Sequence, residues 1–384
     1  MNKNRIVLID ALRGIALAGI LLLHHIEHFG IYLKPTYTIP WLKTLDKWVW
    51  DTLFLLFSGK SFALFSLLFG LSYWILYSNR KAAGDRYFFR HIWRMVLLLG
   101  FALIHMIFQG GEILSKYAIF GLTLIIIPFL KNRTLLFLSL LLLLDPLRIY
   151  GLICHFIEGA VINFKVPYPK AKTQEILTTG TFWDVLEYNF TMGWKRSYVW
   201  YINAGRMFTI PGLFFLGAYL SKTKAFTQKS LKFWYSVLCF SSVIWLLTGL
   251  GTRLGELTNT PNFIKTLNAL LDTYTKFAIM LFVVSLIVIL WRQHKGQVWI
   301  SRFATFGRMG LTNYILIAVI GTFMYYGWGL GLYRYCGSAL TLCIAIVILI
   351  LQMRFSSWWL KHHTYGPLEK LWRKLTWIKF KKLT

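Results

Sequence analysis

RIVLIDALRGIALAGILLLHHIEHF, running from Arg5 to Phe29, decides the fold. From Ile6 onward the stretch is apolar for long enough to cross a bilayer core of roughly 30 Å, yet it carries Asp10, Arg13, His24, His25 and His28. Ionisable side chains are expensive in lipid and mark a use for them. At about 100° per residue, Arg13 and His24 fall roughly 20° apart on one helix face and about 16 Å apart along the axis. Asp10 and His28 share that face, so the stripe must meet a polar cavity or partner helices rather than lipid. Two readings are open. Asp10 can neutralise Arg13 three residues on, which accounts for the lower half and leaves the histidines. Alternatively the stripe is a working site built on Arg13 and His24, with His25, about 60° from Asp10 on the wheel, as a further candidate.

The rest of the chain has the same character. It has 384 residues, 57% hydrophobic and 18% aromatic, with a mean hydropathy of +0.56, which excludes an ordinary soluble protein. The expected fold is an all-α, polytopic helix bundle forming a single transmembrane domain over 1–384. A net charge of +28 would suggest nucleic acid in a soluble protein. Here the basic residues sit in short loops between apolar runs, where they set topology and meet anionic headgroups, so the expected partners are membrane lipids and not nucleic acid. Cys154, Cys239, Cys336 and Cys343 are scattered without CxxC spacing, so neither a metal site nor a disulfide framework is expected. The first apolar run is too long, and lacks the small-residue cleavage pattern, to be a signal peptide; it reads as a retained helix.

Membrane-length spans are predicted near 7–29, 55–77, 90–109, 113–130, 134–155, 206–221, 231–250, 268–291, 309–328 and 335–353, which makes about ten helices. Lys3 and Arg5, Arg80, Lys81 and Arg86, Lys131 and Arg133, Lys222 to Lys232, then Arg292, Lys295 and Arg302 alternate with poorer loops. The positive-inside rule therefore puts both termini in the cytoplasm, in agreement with the basic tail 354–384. That tail, with Trp372, Leu375, Trp377, Ile378 and Phe380 among lysines, suits the membrane surface. Two segments on the outer side are not simple spans. Residues 36–54, with Thr36, Tyr37, Trp41, Trp48 and Trp50 among charges, suit an interfacial helix or an aromatic belt. Residues 157–205 form a connection long enough to be a lid or binding loop.

Chemistry-bearing motifs recur along the chain. HMIFQGGEILSKY, His105 to Tyr117, puts His105 near one helix end and Glu112 at the start of the next, level with His24 and His28. Glu112 either orients an imidazole as partner of a general base or simply complements a helix N-terminus. Arg308 and Asn313 open the ninth span. They read either as a donor-phosphate contact with a bundle hydrogen bond or as a topology anchor with an interhelical amide bond. Gly327, Gly329 and Gly331 lack the Lys-Ser/Thr of a phosphate loop and read as a tight turn.

RIVLIDALRGIALAGILLLH (from Arg5), FSLLFGLSY (from Phe65), GGEILSKYA (from Gly110), GRMGLTNYIL (from Gly307), YYGWGLGLY (from Tyr325) and YGPLEKLWRKLTW (from Tyr365) together resemble the YeiB-like family, domain of unknown function 418. The resemblance spans essentially the whole chain, with a C-terminal family region at 300–377 and the first-helix motif at 5–28. That family looks like a branch of the transmembrane acyltransferase superfamily, which includes the acyltransferase-3 proteins and the heparan-glucosaminide N-acetyltransferases. In the acyltransferase-3 branch an Arg or Lys, ten residues and a His mark the first helix, and Arg13 and His24 match that spacing. The resemblance implies a plasma-membrane, bacterial acyltransferase using acyl-coenzyme A, acetyl by preference. Arg13, Arg308 and Asn313 would lie on the donor side; His24, His105 and Glu112 would act on an extracytoplasmic hydroxyl or amine; Asp10, His25, His28 and Tyr117 would support them. YeiB-like proteins often carry Asn where His24 stands and Asp where Glu112 stands. Either His24 brings this member nearer the acyltransferase-3 branch, or the chemistry rests on His105 and Glu112. The other function class is a transporter or flippase using the same stripe for an anionic solute or lipid. Oligomeric state is left open.

Overall fold

The Gly14 face of the first helix fixes how the bundle closes. The computed structural model describes residues 6–33, 35, 39–84, 87–158, 166–169, 172–255 and 261–378. Lys3, Arg5, Thr36, Tyr37, Arg86, parts of the 157–205 connection, Phe380 and the lysines from Lys379 onward lie outside them. Among the described residues every regular element is helical. In chain order these are α1 (Val7–Ile26), α2 (Pro40–Phe57), α3 (Lys60–Ala82), α4 (Tyr87–Met106), α5 (Leu114–Gly121), α6 (Asn132–Leu143), α7 (Pro146–Glu158), α8 (Thr173–Thr179), α9 (Phe182–Tyr188) and α10 (Trp194–Asn203). There follow α11 (Arg206–Lys222), α12 (Ala225–Gln228), α13 (Leu231–Gly255), α14 (Pro261–Trp291), α15 (His294–Ser301), α16 (Ala304–Arg308), α17 (Gly310–Tyr325), α18 (Ser338–His362) and α19 (Pro367–Thr376).

Six of these stretches are long and apolar enough to cross a membrane, or up to seven if the bent pair α6–α7 is one span. The outer surface is apolar as well, with Phe89, Phe129, Ile157 and Leu246 more than 60% exposed, the inverse of a soluble exterior. The chain is a helical membrane protein.

All ten predicted segments fall on helices, with differences that have local causes. The second begins inside α2, because Gly59 at φ +75° breaks the chain between α2 and α3. The fourth is α5 followed by a 3₁₀ stretch, Leu122–Phe129, with Pro128 in its last turn. The fifth bends by 55° between α6 and α7, where Asp145 sits at φ +54°. The last runs on to His362 as α18, so the first nine residues assigned to the tail 354–384 are helix.

Close crossings hold the core. A Cβ on Gly14 would strike the carbonyl oxygen of Phe303, and one on Gly307 would strike that of Asp10, so α1 and α16 touch backbone to backbone. Basic loops meet at one end of the bundle: Lys222 donates to Leu130 O (2.8 Å), Arg292 to Lys229 O, and Arg80 and Arg90 stack on Trp377 at 3.9 and 4.6 Å. The N-terminal half of α1 and α19 share this end. At the far end α2 keeps Trp41 and Trp48 exposed, as an interfacial helix does. Its buried Asp46 accepts from Ala339 N (2.8 Å), capping α18.

Candidate functional site

Two cavities lie end to end beside α1. The one nearer the chain termini, about 290 Å³, is lined by Arg13, Ser72, His91, Arg94, Arg308 and Glu369 among Phe65, Phe69, Tyr73, Tyr87, Tyr117 and Trp372. Arg13 donates to Asp10 (2.9 Å) and to Ser72, so Asp10 steadies the guanidinium. Arg94 lies flat over Trp372, 4.5 Å from its centre. Arg308 donates to Thr364 O (3.1 Å). Among the described residues Glu369 is the one carboxylate in this lining, and its oxygens are engaged: it accepts from Leu311 N (2.7 Å), Thr312 N (3.0 Å) and the Thr312 hydroxyl (2.6 Å). It thereby clips α19 to the start of α17, and burial pushes its carboxyl above the ordinary range. The cavity is thus cationic and aromatic, suited to phosphate and to flat or acyl groups.

The far cavity, about 340 Å³, is lined by His24, Glu27, Ser61, Gln109, Asn189, Arg196 and Arg206 among Phe57, Phe62, Tyr188, Trp200, Tyr201 and Tyr326. His24 Nδ1 lies 3.5 Å from a Glu27 oxygen, and the ring stacks on Phe29 at 5.7 Å. This is an imidazole with an orienting carboxylate, the pairing a general base needs. Much of the wall comes from the 157–205 connection, which folds into α8, α9, a π-turn at Asn189–Gly193 and α10. Thr181 and Asp184 form a capping box that starts α9, and their hydrogen bonds hold the exposed Asp184 carboxyl below the usual range. The π-turn aims Asn189 at Gly110 N, whose hydrogen it accepts at 3.0 Å. The glycine turn after α17 seats against α8, with Gly327 N donating to Leu177 O (2.9 Å).

Ile20, Ile113 and Tyr314 line both cavities. They form the partition. Tyr314 Oη accepts from Ile113 N at 3.3 Å, which leaves its own hydroxyl proton to donate. His105 is buried behind it, its ring stacked on Tyr314 at 4.7 Å and 15°. His105 lines neither cavity; its contact with the site is its stacking on Tyr314.

The first-helix stripe divides. Arg13 serves one cavity and His24 the other, while His25 and His28 pack into neighbouring helices. His25 Nδ1 bonds the Tyr325 hydroxyl (3.1 Å). His28 bonds Leu33 O (3.2 Å) and the Thr341 hydroxyl (3.1 Å). The helical wheel fails for His28 because α1 ends at Ile26 and His28 itself lies at φ +46°. Glu112 accepts from Ser115 N (2.8 Å) and the Ser115 hydroxyl, and pairs with buried Lys116 at 3.4 Å. Lys116 in turn donates to Ser197 (2.9 Å) and faces the Tyr198 ring. Of its two readings, Glu112 has the helix-start geometry. Asn313 donates to Phe306 O (3.0 Å) and Ser356 (2.9 Å), an interhelical bond away from both cavities. Tyr117 lines the Arg13 cavity and bonds Ser66 (2.7 Å). The sequence reading missed Glu27, Arg94, Arg206 and Tyr314. Glu27 had a signal, its i, i+3 spacing from His24; the others become visible only when the helices are assembled.

A polytopic helical membrane protein with two abutting polar cavities is the class these features define. The family described as "Protein of unknown function (DUF418)" matches residues 219–379. The chain is similar to the uncharacterized protein YxaH of Bacillus subtilis (26% identical, 100% of this chain and 97% of the relative). It is similar also to the uncharacterized protein YeiB of Escherichia coli (27%, 98% and 97%). A third relative is the uncharacterized 39.9 kDa protein in the amylase 3′ region of Bacillus acidopullulyticus (24%, 97% and 94%). The family match thus covers the C-terminal part of the chain, while the likeness to YxaH and YeiB runs over essentially all of it. No solved structure matches it.

Proposed function

We propose that the protein is a bacterial plasma-membrane acyltransferase with ten crossings and both termini in the cytoplasm. It moves an acyl group, acetyl by preference, from acyl-coenzyme A in the Arg13 cavity to a hydroxyl or amine in the His24 cavity. The observation that carries this reading is the partition: a basic, aromatic cavity and a histidine–carboxylate cavity share Ile20, Ile113 and Tyr314. A donor on one side and an acceptor on the other can then meet at one point without an open channel. The basic loops at the Arg13 end support a cytoplasmic donor.

The residues divide the work accordingly. Arg13, Arg94 and Arg308 offer guanidinium forks to donor phosphates. A volume of about 290 Å³ is at the low end for small-molecule sites, so it takes the acyl arm and leaves the nucleotide towards Arg308. His24, oriented by Glu27, removes the acceptor proton as the acceptor oxygen or nitrogen bonds to the thioester carbon. The carbon–sulfur bond breaks, coenzyme A leaves as thiolate, and the proton ends on its sulfur. Tyr314, whose hydroxyl proton is uncommitted, donates to the carbonyl oxygen as it gains charge.

Binding and turnover of radiolabelled acetyl-coenzyme A by the full chain in lipid nanodiscs test this. Wild type should bind saturably and release acetyl slowly to water; Arg13→Ala should lose binding, and His24→Ala should bind but turn over about a hundredfold to ten-thousandfold more slowly. Full transfer in both His24→Ala and His105→Ala would overturn the site assignment. No binding across a panel of acyl donors would replace the enzyme with a transporter using the two cavities as alternating chambers.

A further inference from the structure

The His24 cavity contains a cation that its chemistry does not use. Arg206 opens α11 directly after Gly205, which sits at φ +68°. A Cβ on Gly205 would collide with Asp145. Asp145 is itself paired with Arg148 at 2.9 Å, and Arg148 donates to Asn203 O (2.8 Å) and to the Thr273 hydroxyl (2.9 Å). This knot fixes the backbone from which Arg206 projects. The guanidinium lies 4.0 Å from the Trp200 ring centre, 4.3 Å from Phe62 and 5.3 Å from Tyr201. The rings hold its plane, and the Tyr201 hydroxyl accepts a hydrogen bond from it. Among the described residues no carboxylate lies within ion-pair distance of it.

A second donor in the same cavity is also waiting. Asn189 is 1% exposed, and its Oδ1 is taken by Gly110 N. Its buried Nδ2 has no hydrogen-bond partner. A buried guanidinium with no carboxylate partner among the described residues, beside an amide donor without a hydrogen bond, carries a desolvation cost that a ligand's oxygens would relieve.

We infer that the acceptor is a small hydroxylated oxyanion, of the polyol phosphate or sugar acid class, with its anionic group on the Arg206 fork and a hydroxyl oxygen on Asn189. This takes the His24 cavity as the acceptor side. About 340 Å³ bounded by Trp200, Tyr201, Tyr188 and Tyr326 suits one such polar molecule against aromatic faces. Arg196 adds positive potential at the wall while donating to Pro169 O (2.5 Å). Glu27, engaged with His24, would repel an anion bound beside the imidazole, which sets the hydroxyl towards the base.

The test reads binding alone, so it stands or falls apart from acyl transfer. Calorimetric titration of the full chain in nanodiscs compares glycerol 3-phosphate with glycerol, and glucuronate with glucose. At least one acid should bind more than about tenfold more tightly than its neutral partner; which one does so separates phosphate from carboxylate recognition. Arg206→Gln should erase that preference and Arg206→Lys keep part of it, while Arg13→Ala leaves it intact. Equal affinity within both pairs, no saturable binding of either acid at millimolar concentration, or a preference lost in Arg13→Ala and kept in Arg206→Gln would overturn the inference. The wild-type comparison requires no variant to fold.

Discussion

The two cavities beside α1 are similar in size and opposite in construction. The Arg13 cavity is walled by long, closely crossed helices and floored by α19, and its one carboxylate is spent on a helix start. The His24 cavity is roofed by short helices from a single connection and is lined by an imidazole, a carboxylate and the Arg206 guanidinium. In the proposed function the first holds the donor, and the second sets the reacting and recognising groups on short connecting helices. The difference teaches that the polar stripe of α1 is two half-sites, joined where Ile20 meets Ile113 and Tyr314.

The largest expected effect comes from removing what both cavities share. Gly307→Leu forces a side chain into the α1 backbone at Asp10, and should cost upwards of about 3 kcal/mol. Size-exclusion chromatography of the detergent extract should show loss of the folded peak; a folded variant with both cavities working would refute the close crossing as their common support. Next comes the partition. Tyr314→Phe keeps the ring on His105 and removes the hydroxyl, so turnover should fall about a hundredfold with donor affinity unchanged. Unchanged turnover would remove Tyr314 from the chemistry.

His105→Ala should be milder, a loss of roughly tenfold through misplacement of Tyr314, with an additional fall in thermal stability from the emptied ring site. Should it abolish turnover as fully as His24→Ala, then His105 is a reacting group and the division between the cavities is drawn in the wrong place. The smallest effect concerns the floor of the Arg13 cavity. Burial raises the Glu369 carboxyl, so docked α19 holds a proton more readily than free α19 does. Docking is therefore strongest below the ordinary carboxylate range and weakens as pH rises through the raised value. Limited proteolysis after α18 should increase over that rise, and Glu369→Gln should flatten the trend.

Much of this arrangement could be read from residues alone. Apolar runs located the long helices other than α2, whose aromatic and charged sequence read as interfacial, because a lipid-facing helix must be apolar for its whole crossing. Arg13 and His24 stood out because charge in such a run is rare, and each does face a cavity. What the sequence left hidden follows from assembly. A helical wheel gives a face but not its neighbours, so it put His28 with Arg13 although the chain turns left-handed after Ile26. Glu112 read equally as the partner of an imidazole and as a helix-start carboxylate, because nothing in GGEILSKY distinguishes the two; in the structure it engages Ser115 and Lys116. Arg206 and Tyr314 carry no signal of their own in the sequence, and only the packing of α8 to α10 and α17 against α1 gives them a cavity to line.

Sidedness gives the most direct measurement. Proteoliposomes loaded with doubly labelled acetyl-coenzyme A, one label on the acetyl group and one on the nucleotide, would be followed for both labels inside and out. The acetyl label appearing outside while the nucleotide label stays inside with a free thiol is the predicted result, since acyl transfer across the Tyr314 partition separates them. Both labels crossing together, or both remaining inside as hydrolysed products, would contradict transfer between two facing half-sites.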